Sequence, residues 1–142
     1  MVYLDANIFV FAALAKDKLG DASRCILANL RVINAKTSCL TIDELAWAVL
    51  RRVNSITAVK ACRAVLMLRD LDVVSVDYGD IWGMVDAMET LGLRPRDALH
   101  LTVMKRLGEK TIVTEDAHFD AVGMERISIE DFAKRICPSI GN

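Results

Sequence analysis

VYLDANIFVF, residues 2–11, is apolar at every position except Asp5 and Asn7. The run reads as core: VYL, residues 2–4, fits a short strand, and residues 6–16 fit a helix. Asp5 therefore falls where a strand ends. A carboxylate among apolar neighbours must be compensated by hydrogen bonds, a cation or a metal ion. Asp is also a favoured helix N-cap, so position alone leaves a structural cap and a functional ligand both open.

The rest of the chain alternates in the same way. Helical patterns cover residues 21–30, where Ala22, Ile26 and Leu30 recur at helical spacing, and residues 41–52, 56–68, 79–91, 96–107 and 129–136. Strands fit TSCL (37–40), DVVSV (72–76), TIVT (111–114) and, at an edge, ERIS (125–128), with a short turn or helix at 116–121. Gly92 and Gly108 read as C-terminal caps, and Pro95 as the start signal of the helix between them. Five strands and about seven helices in alternation predict an α/β fold in which helices cover a parallel sheet.

A length of 142 residues suits one domain over residues 1–142, and 54% hydrophobic content is enough to build a core rather than a disordered chain. The formal charge of −1 excludes a strongly basic nucleic-acid binder, so any nucleic-acid contact must use local patches. No apolar run is long enough to span a bilayer, and the N-terminus lacks a signal-peptide pattern, which predicts a cytoplasmic protein. Cys25, Cys39, Cys62 and Cys137 lack zinc-site or CxxC spacing and are expected to be reduced thiols acting as small hydrophobes.

Ligands of open parallel sheets bind outside the carboxyl ends of the strands, and acids fall there four times. Asp5 follows the first strand. Glu44, in TIDEL, has capping-box spacing from Thr41, yet it also lies near the upper rim of the sheet. Asp97, in RPRDALHL, lies in the first turn of its helix, where the macrodipole favours an acid and where Arg94 or Arg96 could pair with it. Asp116, in TIVTEDAHF, is either a turn residue or a second strand-end acid. Each has a structural explanation alone. Together, four carboxylates on one sheet edge need a neutralising cation. All-oxygen ligation suits Mg²⁺ or Mn²⁺, the ions of metal-dependent phosphodiester or phosphate-ester hydrolysis.

The ordered stretches YLDANIF, TIDELAWAVLRR, RPRDALHLTVM and TIVTEDAHFD resemble the PIN-domain ribonucleases, especially VapC-type toxins of prokaryotic toxin–antitoxin pairs. The resemblance covers nearly the whole chain. It implies a Rossmann-like three-layer α/β/α sandwich with a central parallel sheet of about five strands. It implies that Asp5, Glu44, Asp97 and Asp116 form a Mg²⁺ or Mn²⁺ site, with Asn7 and Thr114 as polar supports and Asp120 as a more distant one. The implied reaction is cleavage of RNA by a metal-activated water, leaving a 5′-phosphate and a 3′-hydroxyl. The implied partners are a second copy of the chain, as a homodimer, and a small antitoxin that blocks the acidic site.

RNA contact would need cations near the acids, for which Arg51, Arg52, Arg94, Arg96, Lys105 and Arg106 are candidates. His100 and His118 lack metal-ligand partners at useful sequence spacing. Phe9, Phe11, Trp47, Val59, Met67 and Trp82 exceed what the core readily takes, which suits a dimer face or a groove for a partner helix. Alternatives are an RNA-processing PIN nuclease and a non-catalytic PIN-like module, although the latter tends to lose acids that are all present here. A haloacid-dehalogenase-like phosphatase would want an acid at Asn7. A response-regulator receiver would want a late Lys that TIVTED does not supply.

Overall fold

Val2–Leu4 form β1, and all three side chains are buried, Tyr3 and Leu4 completely. The computed structural model describes residues 1–137. Four further strands flank this one: β2 (Ala35–Ser38), β3 (Leu71–Val74), β4 (Thr111–Val113) and β5 (Glu125–Ile127). They form a parallel sheet in the order β3-β2-β1-β4-β5. The chain lays down β1, β2 and β3 to one side, then returns to place β4 on the other side of β1. A crevice opens outside the carboxyl ends of the strands where the order reverses in this way.

The described helices are α1 (Ala6–Leu14), α2 (Lys18–Ala28), α3 (Leu30–Ile33), α4 (Cys39–Arg52), α5 (Ser55–Leu66), α6 (Tyr78–Leu91), α7 (Pro95–Leu107) and α8 (Ile129–Ile136). A 3₁₀ turn covers Ala117–Ala121. Alternate strand residues point to opposite faces, and β1 shows the consequence. Val2 and Leu4 pack with Ile8, Phe9, Ile26, Leu45, Val49, Ile129 and Phe132, so α1, α2, α4 and α8 cover one face. Tyr3 packs with Leu99, Val103, Met104, Ile112 and Phe119, so α7 covers the other. The result is a three-layer α/β/α sandwich. Each fully buried Leu or Ile contributes about 1.5–3 kcal/mol, so β1 is gripped from both sides. Helix α6 lies against α7 where Gly83 meets Thr102. A Cβ on Gly83 would stand 2.4 Å from Thr102 Cγ2, so glycine is needed there.

Several sequence expectations change. TSCL is strand only as far as Ser38, and Cys39 already begins α4. Thr41 is therefore inside the helix rather than at its cap. It is fully buried, 2.7 Å from Thr37 Oγ1, and the capping box with Glu44 does not form. The eighth helix is α3, which the sequence pattern merged into the end of the helix before it. Asp17 starts α2 early by accepting a hydrogen bond from Gly20 N at 3.0 Å. Trp47, Val59, Met67 and Trp82 are exposed, as the excess of apolar residues suggested, while Phe9 is core. No described helix is long and apolar enough to cross a membrane.

The expectation of four reduced thiols is corrected. Cys25 on α2 and Cys137 at the end of α8 form a disulfide with a Cα–Cα distance of 6.6 Å, while Cys39 and Cys62 remain free. The bridge fastens α8 onto α2 and closes a separation of 112 residues. Reduction, or Cys137→Ser, should lower unfolding stability by about 2–4 kcal/mol. The measurement is the urea midpoint with and without dithiothreitol, with Cys39→Ser as control. An equal midpoint for Cys137→Ser and wild type under oxidising conditions would sink the bridge.

Candidate metal centre

Asp5 leaves β1 with its backbone N–H donating to Val113 O at 3.2 Å, which ties it to the neighbouring strand. Its Oδ1 accepts from Ala6 N at 2.7 Å, so the cap suggested by its position is real. Its Oδ2 accepts from Thr114 Oγ1 at 2.7 Å. Capping does not use up the group, because His100 Nε2 stands 3.7 Å from Oδ1. Burial pushes the Asp5 carboxyl above the ordinary carboxylate range, against the opposing pull of His100 and Thr114.

Thr114 is the joint of this corner. It is fully buried, donates to Asp5, and accepts from Asn7 Nδ2 at 2.9 Å and from Asp116 N at 3.0 Å. That pattern fixes the Asn7 amide with its nitrogen towards Thr114. Asn7 Oδ1 is left buried with no hydrogen-bond partner. A buried acceptor without a donor is costly, and it is an observation favouring a ligand in this corner.

Glu44 reaches in from the second turn of α4 and meets His100 Nε2 in a short hydrogen bond. His100, 1% exposed, comes from α7 one turn after Asp97. Burial alone would lower its pKa, but the Glu44 hydrogen bond and the Asp5 charge outweigh this and hold it above the ordinary histidine value. Asp97 and Asp116 meet through a second histidine, with His118 Nδ1 lying 3.3 Å from Asp97 Oδ2 and 3.0 Å from Asp116 Oδ1. Burial raises the Asp97 pKa, and the Asp116 charge raises it further.

Two donor sets result, Asp5–Glu44–His100 and Asp97–Asp116–His118, and in each the donor atoms lie within 4.8 Å of one another. The four acids read from the sequence thus gather at the carboxyl edge of the sheet. The reading of the histidines is corrected, since both have acidic partners. Their partners are distant in sequence, apart from Asp116 beside His118. The face shared by Asp97 and His100, three residues apart on a helix, was the one local signal for His100.

Glu44, Arg94, Pro95, Arg96, Asp97, Asp116 and His118 line an open cavity of about 430 Å³. Arg96 pairs with Asp43 at 4.0 Å rather than with Asp97, whose near neighbour is His118. Arg51 and Arg52 are exposed in the last turn of α4, about 10 Å along the helix from Glu44, and do not line this cavity. Arg106 is held by Asp80 and Ser75 O, so it belongs to the packing of α6 on α7. Asp120 pairs with Arg126 at 2.7 Å, and Arg126 donates to Thr114 O at 3.3 Å. Asp120 therefore meets the centre only through Arg126.

A PIN-domain family model matches residues 2–124. Among solved structures, VapC20 of Mycobacterium tuberculosis, a sarcin–ricin-loop-cleaving toxin, is similar at TM-score 0.75 and 18% identity, over 87% of this chain and 96% of that one. FitAcB of Neisseria gonorrhoeae is similar at TM-score 0.67 and 16% identity, over 91% and 98%. VapBC2 of Rickettsia felis, bound to a DNA fragment from its promoter, is similar at TM-score 0.65 and 17% identity, over 90% and 98%. At these identities the likeness carries the fold. Comparison with curated protein sequences found no match.

Above its raised folded pKa, Asp97 bears a charge that folding has partly desolvated and set beside Asp116. Asp97→Asn should therefore raise the Tm of the metal-free protein by a few degrees at pH 7. The gain should shrink as pH falls through the raised folded value and vanish below the ordinary Asp value of 3.8, where the wild-type carboxyl is protonated both folded and unfolded. Thermal melts in chelator across that range test the sign. A variant less stable than wild type at pH 7 would mean that the contact with His118 outweighs the desolvation.

Proposed function

The chain belongs to the PIN-domain family, and on that premise we propose that it is a divalent-metal-dependent endoribonuclease, the toxin of a VapBC-type toxin–antitoxin pair. The observation that carries the reading is the gathering of Asp5, Glu44, Asp97 and Asp116 at one sheet edge, beside the unpaired Asn7 acceptor. Asp5, Glu44, Asp97 and Asp116 would hold Mg²⁺ or Mn²⁺. Such an ion supplies positive charge for the scissile phosphate and makes water a usable nucleophile near neutral pH.

The chain's own residues do the rest. Thr114 and the Ala6 amide hold Asp5 in one orientation, so that the ligand does not have to be ordered when the ion arrives. Asn7 offers an acceptor for a water proton in this corner. Arg94 and Arg96, on the cavity wall, offer positive charge to the phosphates flanking the cleaved bond. Arg51 and Arg52 extend that charge along α4 for a longer RNA strand.

Two apolar surfaces support the partner readings. The exposed side of α6 carries Ile81, Trp82, Val85 and Met88 and suits the homodimer. The groove between α4 and α5, about 440 Å³, is lined by Trp47, Leu50, Val59 and Leu66 and suits an amphipathic antitoxin helix. A cytoplasmic location accords with an RNA substrate, and in that reducing compartment the Cys25–Cys137 pair would be held as thiols.

Purified protein with Mn²⁺ or Mg²⁺ should cleave single-stranded RNA, leaving 5′-phosphate and 3′-hydroxyl ends, and excess chelator should stop it. Asp5→Asn and Asp97→Asn should each reduce cleavage by at least about 100-fold while circular dichroism shows an unchanged fold. Undiminished cleavage by a rigorously purified Asp97→Asn protein would overturn the assignment.

A further inference from the structure

We propose that His100 is a nitrogen ligand of the metal centre, together with Asp5 and Glu44, making it a mixed nitrogen–oxygen site that takes Mn²⁺ in preference to Mg²⁺. The proposal deepens the nuclease reading and rests on its assignment of Asp5 and Glu44 as ligands.

The first support is the way the ring is held. His100 Nδ1 lies 2.7 Å from Tyr3 Oη, and Tyr3 Oη donates to Ser38 Oγ at 2.9 Å. With the phenol proton committed to Ser38, the Nδ1–H donates to the phenol oxygen. In the metal-free protein Nε2 then carries a proton that it donates to Glu44 Oε1, and a bound ion would take that proton's place on Nε2. Metal-bound histidines are oriented in this way, with the second nitrogen donating to a fixed oxygen. Burial keeps Tyr3 a neutral phenol by pushing its pKa far up, and Tyr3 and Ser38 are both fully buried. The rest of the ring is enclosed too, packed edge-on against Tyr3.

The second support is the spacing of the donors. Nε2 is 3.7 Å from Asp5 Oδ1 and in contact with Glu44 Oε1. Adjacent ligands of an octahedral ion with bonds of about 2.1 Å stand roughly 3 Å apart, so the Asp5–His100 pair is within a small adjustment of ligating distance. Glu44 is the group that must give way. Its side chain is 20% exposed on the cavity wall, whereas that of His100 is 1% exposed. A carboxylate can swing to share the ion while the imidazole stays where it is.

The third support is the chemistry of the donor set. Mg²⁺ keeps to oxygen ligands and several waters, whereas imidazole suits transition ions. A structural account of His100 as a mere counter-ion explains its contact with Glu44. It does not explain why the chain spends Tyr3 and Ser38 on fixing the ring with Nε2 towards two acids.

The test is pulsed electron paramagnetic resonance of the tag-free full chain loaded with Mn²⁺, with stoichiometry from calorimetry. The chain has only two histidines, so His118→Gln leaves His100 as the sole imidazole. Nitrogen modulation is expected in wild type and in His118→Gln, changing from the ¹⁴N to the ¹⁵N pattern after ¹⁵N-histidine labelling. In competition, Mg²⁺ should displace Mn²⁺ only above about a tenfold excess; displacement at equal concentration overturns the preference. Bound Mn²⁺ without imidazole modulation overturns the ligand and leaves the nuclease reading standing. Loss of the modulation in His118→Gln, with or without loss of the ion, overturns it too. Wild-type protein that binds no divalent ion overturns both.

Discussion

Asp5 stands at the carboxyl end of a strand whose every side chain is buried, and an ionised carboxylate in such a place costs several kcal/mol unless it is paired. Its partners come from three directions. The Ala6 amide belongs to α1, Thr114 follows β4, and His100 belongs to α7. The Ala6 amide is local, but Thr114 and His100 reach Asp5 only when β1 lies beside β4 and under α7. The two apolar cores that grip β1 from either face are thus what make the buried acid tolerable. The order reversal at β1 opens the space in which that acid can meet a ligand.

Helix α7 links the core to the rim. Leu99, Val103 and Met104 pack under the sheet beside Tyr3, while Asp97 and His100, one turn apart, face the acids. Tyr3 belongs to both systems: its ring is core, and its hydroxyl holds the His100 ring. The geometry of the centre is therefore set by packing more than by its own hydrogen bonds. Gly83 lets α6 approach α7 at Thr102, away from the site residues.

What the sequence revealed and what it hid divide by the range of the signal. Asp5, Asp97 and Asp116 were legible because each sits beside a strand end or helix start that local pattern marks. The parallel sheet followed from the alternation of short apolar runs and helices. Glu44 was ambiguous because Thr41 three residues earlier imitates a capping box, and only tertiary structure shows that the helix begins at Cys39. His100 was hidden because its partners lie 97 residues away in Tyr3 and 56 away in Glu44. The Cys25–Cys137 bridge was hidden for the same reason, across 112 residues. Arg96 was read by proximity as a partner for Asp97, whereas the helix turns it towards Asp43.

Four clustered carboxylates pose a problem that exists before any ion binds. Like charges in a half-buried site repel, and the raised pKa values of Asp5 and Asp97 reflect that burial and crowding. The two imidazoles ease it differently. His118, more than half exposed, bridges Asp97 and Asp116 from the solvent side and can swing away. His100 cannot, since its ring is enclosed and held through Tyr3. A histidine that serves only as a movable counter-charge needs no fixed ring. A histidine that remains when the cation arrives must either share the ion or oppose it. With Nε2 aimed at Asp5 and Glu44, sharing is the arrangement that leaves no buried charge uncompensated, and Glu44, at the open wall of the cavity, is the side chain free to make room.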